Sequence, residues 1–331
     1  MRALLQTYTA LVTLLLLCAP AVAQVPATDK PLTPVSMRFG YIATGNDLMW
    51  VYGREKGFFK DEGIDLEFRE GKGSSAAAQT VASGADDFGV DIDGGAFLGL
   101  VAKGLAATAV MAPVAKSPIV LLSPLDKPLK TPADLVGKQV AIAGGSGAAA
   151  LLPVFLKKNG LDEGKVTLVN MQSSPLLSTL LTGRVDAVAT NMVVQATLEA
   201  KGLKTYPMRY ADFGLAMPGQ YLMTSNAYLK DHKDIVTKIV RAMQKSMQAT
   251  VDNPDAAADA FNRAYPTYDK ATALAEAKII MALFRSPSTE GKPLGTVSLE
   301  DAKAGAASLA EAGQIPADAN ISSAITNEFV K

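Results

Sequence analysis

Cysteine and histidine are almost missing from this chain: 331 residues hold one of each, Cys18 and His232. If Cys18 leaves with a cleaved leader, no disulfide and no cysteine-ligated metal site is available. One histidine also removes ordinary zinc chemistry. His232 sits in LKDHKDI, a polar helix-start segment remote from the strand ends where a serine hydrolase would need its base. Charge of either sign is not in excess, with 32 Lys and Arg against 32 Asp and Glu. No basic run stands out, which excludes nucleic acid as a partner. Aromatic residues make up 6% and hydrophobic residues 49%, so any core is mainly aliphatic. The length suffices for one large or two medium domains. No long apolar run follows the first residues.

Those first residues, MRALLQTYTALVTLLLLCAPAVAQ, carry Arg2, an apolar stretch from Ala10 to Cys18 and a small-x-small site, Ala21-Val22-Ala23, before Gln24. This pattern is a secretory signal peptide over 1–23, implying export to the periplasm. The apolar stretch is shorter than the roughly 20 residues a bilayer span needs. A retained anchor is the competing reading. Leu17 stands where lipid attachment at Cys18 would want a small residue.

Past the leader, apolar runs alternate with helical patterns. MRFGYIAT (37–44), IDLEFRE (64–70), FGVDI, ATAVMAPV and PIVLLSP (118–124) read as strands, with DLMWVYGREKGFF, SSAAAQTVASG and AFLGLVAKG as helices between the first four. TPADLVGK (131–138) begins the pattern again: QVAIAG, KVTLVNM and VDAVAT are strands, and GSGAAALLPVFLKKNG a loop and helix. The copy has a register. Ser173, Ser174, Thr179, Gly183 and Asp186 follow Ser74, Ser75, Thr80, Gly84 and Asp87 at a spacing of 99, and Ile142, Ala143 and Gly145 follow Ile42, Ala43 and Gly45 at 100. True duplication and the mere recurrence of βαβ turn chemistry both explain it, and both predict two doubly wound, largely parallel α/β lobes. After YLMTSN the chain reads as helices. Ile235, Ile239, Met243, Met247 and Val251 form a core-facing stripe, and the tail is expected to return to the first lobe. The expected division is 33–123 and 219–331 for the first lobe and 124–218 for the second, with crossings near 123–131 and 203–220.

GYIATGNDLMWVYGREKGFFKDEGIDLEFREGKGS resembles the opening of the nitrate/sulfonate/taurine and thiamine-precursor binding proteins of ABC importers. ASGADDFGV, TPADLVGKQVAIAGGSG, LLTGRVDAVA and LAEAGQIPADANIS continue the resemblance over nearly the whole mature chain. It implies a type II periplasmic binding fold whose two lobes close over one small solute, delivered to an inner-membrane ABC permease. The implied protein is a monomer with no cofactor and no catalysis.

In open α/β sheets ligands sit beyond the carboxyl ends of the strands, so the loops there supply the candidates. In the second lobe these are Gly145, Ser146 and Gly147 of GGSG, and Asn191. Ser146 and the N–H groups of Gly147 and Ala148 are candidates to hold a carboxylate, sulfonate or similar group. Matching positions of the family commonly contact the ligand's acidic or polar end, whereas Ser146 alone also reads as a helix cap. In the first lobe they are Thr44, Gly45 and Asn46, then Asp91 and Asp93 of VDIDGG, either ligand-facing or plain helix caps. If they face the ligand, a simple anion is disfavoured, and an amine or aminopyrimidine fits better. Trp50 and Tyr41 are candidates to stack on a flat ligand, or core residues. Gln220 and Tyr221 lie at the second crossing. Sulfonate, carboxylate or aromatic acid, and pyrimidine all stay open as solutes.

Enzyme motifs come out incomplete. GSGAAA follows a strand as a dinucleotide loop would, but Asn170 and Met171 end the next strand where the ribose-binding acid should be. GGSGA is near a nucleophile elbow without a histidine partner. A secreted enzyme on the same scaffold and a sensory binding protein are the alternatives.

Overall fold

The computed structural model describes residues 31–331, so the expected signal peptide, 1–23, lies outside the described residues. Ten strands form two five-stranded sheets. In chain order they are β1 (Thr33–Phe39), β2 (Ile64–Arg69), β3 (Phe88–Asp93), β4 (Ala107–Lys116), β5 (Ile119–Pro124), β6 (Gln139–Ala143), β7 (Thr167–Met171), β8 (Ala187–Asn191), β9 (Thr205–Arg209) and β10 (Pro218–Ser225). The first sheet has the order β2-β1-β3-β10-β4 and the second β7-β6-β8-β5-β9. The two orders are the same pattern, each with a fourth strand that comes from the other half of the chain.

Those fourth strands correct two expectations. The sheets are mixed, because β10 runs antiparallel to β3 and β4, and β5 antiparallel to β8 and β9. The reason is topological: the βαβ strands run toward the junction of the lobes, and a strand entering from that junction starts where they end. A parallel neighbour would need a long crossover, and only Ser117 and Pro118 separate β4 from β5. PIVLLSP therefore belongs to the second sheet, and the first crossing lies at Ser117–Pro118 rather than at 123–131. β1 also ends sooner than expected, at Phe39, leaving Gly40–Ala43 as loop.

The spacing of 99 has a structural counterpart. Helices Ser74–Ala82 and Ser173–Leu181 precede β3 and β8. Gly84 and Gly183 end them with φ of 79° and 66°, a conformation glycine takes without strain. Thr80 and Thr179 donate to the carbonyls of Ala76 and Pro175. Asp87 accepts from Ser36 N at 2.7 Å and Asp186 from Gln139 N at 2.9 Å, so each carboxylate ties its strand to the neighbouring one. The spacing of 100 has none. Met37 faces Phe88 and Val140 faces Ala187, which makes Met37 the counterpart of Val140 and leaves Ile42 in a loop while Ile142 is in a strand.

Helices cover both sheets. Phe39, Trp50, Ile64, Phe88, Met243 and Phe261 belong to the core of the first lobe, and Val120, Leu180, Val188 and Leu198 to that of the second. A third apolar layer joins them, with Ile92, Phe97 and Tyr221 from the first lobe meeting Leu151, Phe155 and Tyr210 from the second. Helix Lys233–Asp252 buries Ile235, Ile239, Met243 and Met247, but Val251 is 46% exposed. Each four-residue step overshoots a turn by about 40°, so by the fifth position the stripe has rotated out and Thr250 is buried instead. The tail does return to the first sheet, where Ile325 bridges Ala109 on β4.

Candidate functional site

The carboxyl ends of β1–β4 and of β6–β9 converge on the junction, and β3 is irregular there. Tyr221 faces Ile92 and Met223 faces Gly89, so Leu222 alone stands opposite both Val90 and Asp91. This is a β-bulge, a device that re-aims a side chain. Asp91 takes φ of 58°, the one positive value at a non-glycine residue among those described; aspartate tolerates this region better than most residues. The bulge brings its carbonyl against Gly40, where a Cβ would lie 2.5 Å from the oxygen. Glycine after β1 is thus required by packing.

The Asp91 side chain faces Asp47, Asn46 and Trp50, all buried. Thr44 caps the turn Gly45–Asp47, its N–H donating to Asp47 Oδ2 at 2.9 Å. Burial, and then the charge of Asp91, push the Asp47 carboxyl well above the usual range, against the Thr44 bonds. Burial raises Asp91 as well, with Asp47, Asn46 and Trp50 acting to lower it. Two adjacent carboxyls in one buried site do not both ionise readily. Even so, both Asp91 oxygens, Asn46 Oδ1 and Trp50 Nε1 lack a hydrogen bond of regular geometry. Buried polar atoms are rarely left so.

Asp93 acts as a cap: its Oδ1 accepts from Ala96 N at 2.9 Å at the start of helix Gly94–Val101. Its Oδ2 has no partner, and burial pushes the carboxyl up to about 6. The hydroxyls of Tyr210 and Tyr221 are likewise buried and unpartnered, and their pKa values are raised by burial with a contribution from Asp93. Gln220 pairs with Asp93 across β10 and β3, and its Oε1 is also unpartnered.

From the second lobe, Ser146 caps helix Gly147–Lys158, its Oγ accepting from Ala149 N at 3.1 Å. A Cβ on Gly147 would lie 2.4 Å from Asp93 Cγ, and one on Gly73 2.7 Å from the carbonyl oxygen of Gly145. Gly145 and Gly147 therefore rest directly on first-lobe loops. Asn191 Oδ1 accepts from Val193 N in a local turn. Trp50 is fully buried in the first core, whereas Tyr41 is partly exposed beside Ile42, which is 50% exposed. The structure thus groups Asn46 and Trp50 with Asp91, and Gly147 with Asp93; Thr44, Ser146 and Asn191 have local capping partners.

Asp47 and Glu276 went unmarked in the sequence. Glu276, 1% exposed on helix Lys270–Met281, accepts from Gly45 N at 2.7 Å, from Tyr268 OH and from Thr197 Oγ1. Burial raises its pKa and the three donors lower it. A signal existed: Ala273, Glu276, Ala277 and Ile280 share one helical face, and a carboxylate there interrupts an apolar stripe.

Two other features lie apart. A groove of about 550 Å³ on the first lobe is lined by Arg54, Glu55, Phe59, Lys60 and Arg263, but Arg263 is paired with Glu55 there and none of the unpartnered buried atoms lines it. His232 is exposed between two helices and packs on Tyr228, with ring centroids 4.5 Å apart. Among the described residues no cluster of His, Cys, Asp and Glu could hold a metal ion, and no helix is long and apolar enough to cross a membrane.

The chain is 25% identical over 321 residues to the riboflavin-binding protein RibY of Chloroflexus aurantiacus, covering 94% of this chain and 90% of that one. It is 25% identical over 235 residues to the formylaminopyrimidine-binding protein of Halalkalibacterium halodurans, covering 69% and 70%. The periplasmic aliphatic sulphonate binding protein SsuA of Escherichia coli superposes with a TM-score of 0.68 at 16% identity, over 88% of this chain and 98% of that one. That likeness is one of fold, the two-lobed fold of periplasmic binding proteins. Residues 46–257 match the family described as NMT1/THI5 like, and the chain belongs to it.

Proposed function

We propose that this chain is the extracytoplasmic solute-binding subunit of an ABC importer, which takes one small molecule between its lobes and presents it to a membrane permease. We further propose that the solute is a nitrogen heterocycle bearing N–H or amino donors, and not a sulfonate or nitrate. The carrying observation is the set of buried acceptors at the junction. Asp91, Asp93, Asn46 and Gln220 all keep oxygens without partners. Of the cationic side chains at the described carboxyl ends of the strands, Lys72, Lys116 and Arg209 are exposed and Arg69 is paired with Glu67 and Asp86. An anion would meet carboxylates; an aminopyrimidine or flavin edge would meet acceptors for its N–H groups. The ligands named for the two relatives, riboflavin and a formylaminopyrimidine, have that chemistry. Ser146, Asn191, Gly145 and Gly147 would close over the solute from the second lobe by hinge motion, while Trp50, Tyr41, Thr44, Gly45 and Asn46 frame it from the first. The signal pattern and the fold support a periplasmic location.

Calorimetric titration and thermal shift with riboflavin, formylaminopyrimidine, taurine and nitrate test this reading. The heterocycles are expected to raise the melting temperature and be recovered unchanged, and the anions to do neither. Asp91→Asn should weaken heterocycle binding about tenfold or more, the worth of a hydrogen bond to a charged group. Tight binding of taurine with no response to either heterocycle would reverse the assignment, and recovery of a product would favour an enzyme.

A further inference from the structure

We propose that Glu276 is a positioning residue that joins the loop Thr44–Asp47 to the second lobe and so favours the closed arrangement, an inference that rests on the solute-binding reading above. Its Oε2 accepts from Gly45 N at 2.7 Å and from Tyr268 OH at 2.7 Å; its Oε1 accepts from Tyr268 OH at 2.9 Å and from Thr197 Oγ1 at 2.5 Å. Gly45, Tyr268 and Glu276 itself all belong to the first lobe. Thr197 alone is on the second, on helix Val194–Ala200 after β8. Separation of the lobes breaks one of these bonds and leaves the others to aim the carboxylate at the place where Thr197 returns.

The loop is built around this contact. A Cβ on Gly45 would lie 2.4 Å from the carbonyl oxygen of Ala273 and 2.7 Å from Glu276 Cβ. The next two residues are Asn46 and Asp47, which face Asp91. The position of these groups and the docking of the second lobe thus depend on the same carboxylate. Two events that favour one loop position favour each other.

The chain's one cysteine is Cys18, so in a Cys18→Ser background nitroxides at Lys56→Cys and Lys201→Cys report the distance between the lobes. Both positions are exposed. Double electron–electron resonance on the solute-free protein should show a short-distance component. Thr197→Val should lower its ratio to the long-distance component about tenfold, the effect of losing one hydrogen bond to a charged group. Thr197→Ser, which keeps the hydroxyl, should restore it. The inference is overturned if the parent lacks the short component, if Thr197→Val matches the parent, or if Thr197→Ser behaves as Thr197→Val. No solute enters this measurement. Failure of the solute-binding reading would appear separately, as no response to any compound of the panel above.

Discussion

Asp93 allows a prediction to be worked from structure to number. Its carboxyl is buried, one oxygen caps a helix and the other has no partner. It loses its proton near pH 6 instead of near 3.8. At 1.36 kcal/mol per pH unit, that difference makes the ionised form cost about 3 kcal/mol at pH 7. The sign follows from a folded-state pKa raised above the unfolded one. Below about pH 4 both states are protonated and the cost is absent; it grows between about 4 and 6 and is constant above. Asp93→Asn removes the ionisation and keeps a capping oxygen, since asparagine caps about as well as aspartate. The new amide can donate toward the unpartnered hydroxyls of Tyr210 and Tyr221. The variant should match the parent near pH 4 and exceed it by about 2–3 kcal/mol at pH 7. Urea unfolding of both proteins from pH 4 to 7.5 measures the difference, in which the contributions of Asp47, Asp91 and Glu276 cancel. A variant less stable at pH 7, or a gap that does not change with pH, would refute the reasoning.

Gly147→Ala, at the first position of its helix, should leave the second lobe's own stability little changed, yet its methyl meets Asp93 Cγ at 2.4 Å. Scattering should therefore show a larger radius of gyration with little change in melting temperature. Gly53→Ala brings a methyl 1.7 Å from Ser246 Oγ between two core helices, and overpacking of this kind should lower stability by about 1–3 kcal/mol in urea titrations. Asp86, buried, pairs with Arg38 and Arg69, which are 25% and 38% exposed. Because both guanidinium groups can reach water, Asp86→Ala should cost about 2 kcal/mol, less than the 3–5 of a fully enclosed pair; chemical denaturation measures it.

Local features of the fold were readable from residue spacing. Thr80 and Thr179, and Gly84 and Gly183, perform matched tasks that depend on nearby backbone alone, while Asp87 and Asp186 each repeat a bond to the neighbouring strand. Direction and sheet membership were not readable, because an apolar run such as PIVLLSP is the same run whichever way it lies and whichever sheet it joins. The candidate site divides similarly. Strand-end position pointed to Asp91, Asp93 and Asn46, but nothing in FGVDIDGG marks the extra residue that turns Asp91 toward Asp47. Glu276 lies 231 residues from its partner Gly45, beyond any local pattern; the interrupted apolar face of its own helix was the available sign.

The exchange of fourth strands constrains how the protein assembles. Until Pro218–Ser225 has been synthesised, the first sheet has a gap between β3 and β4. A nascent chain stopped before it can complete neither the early sheet nor the contacts of its tail. Non-local pairings of this kind slow folding. A missing central strand thus delays compaction of the early half by geometry alone.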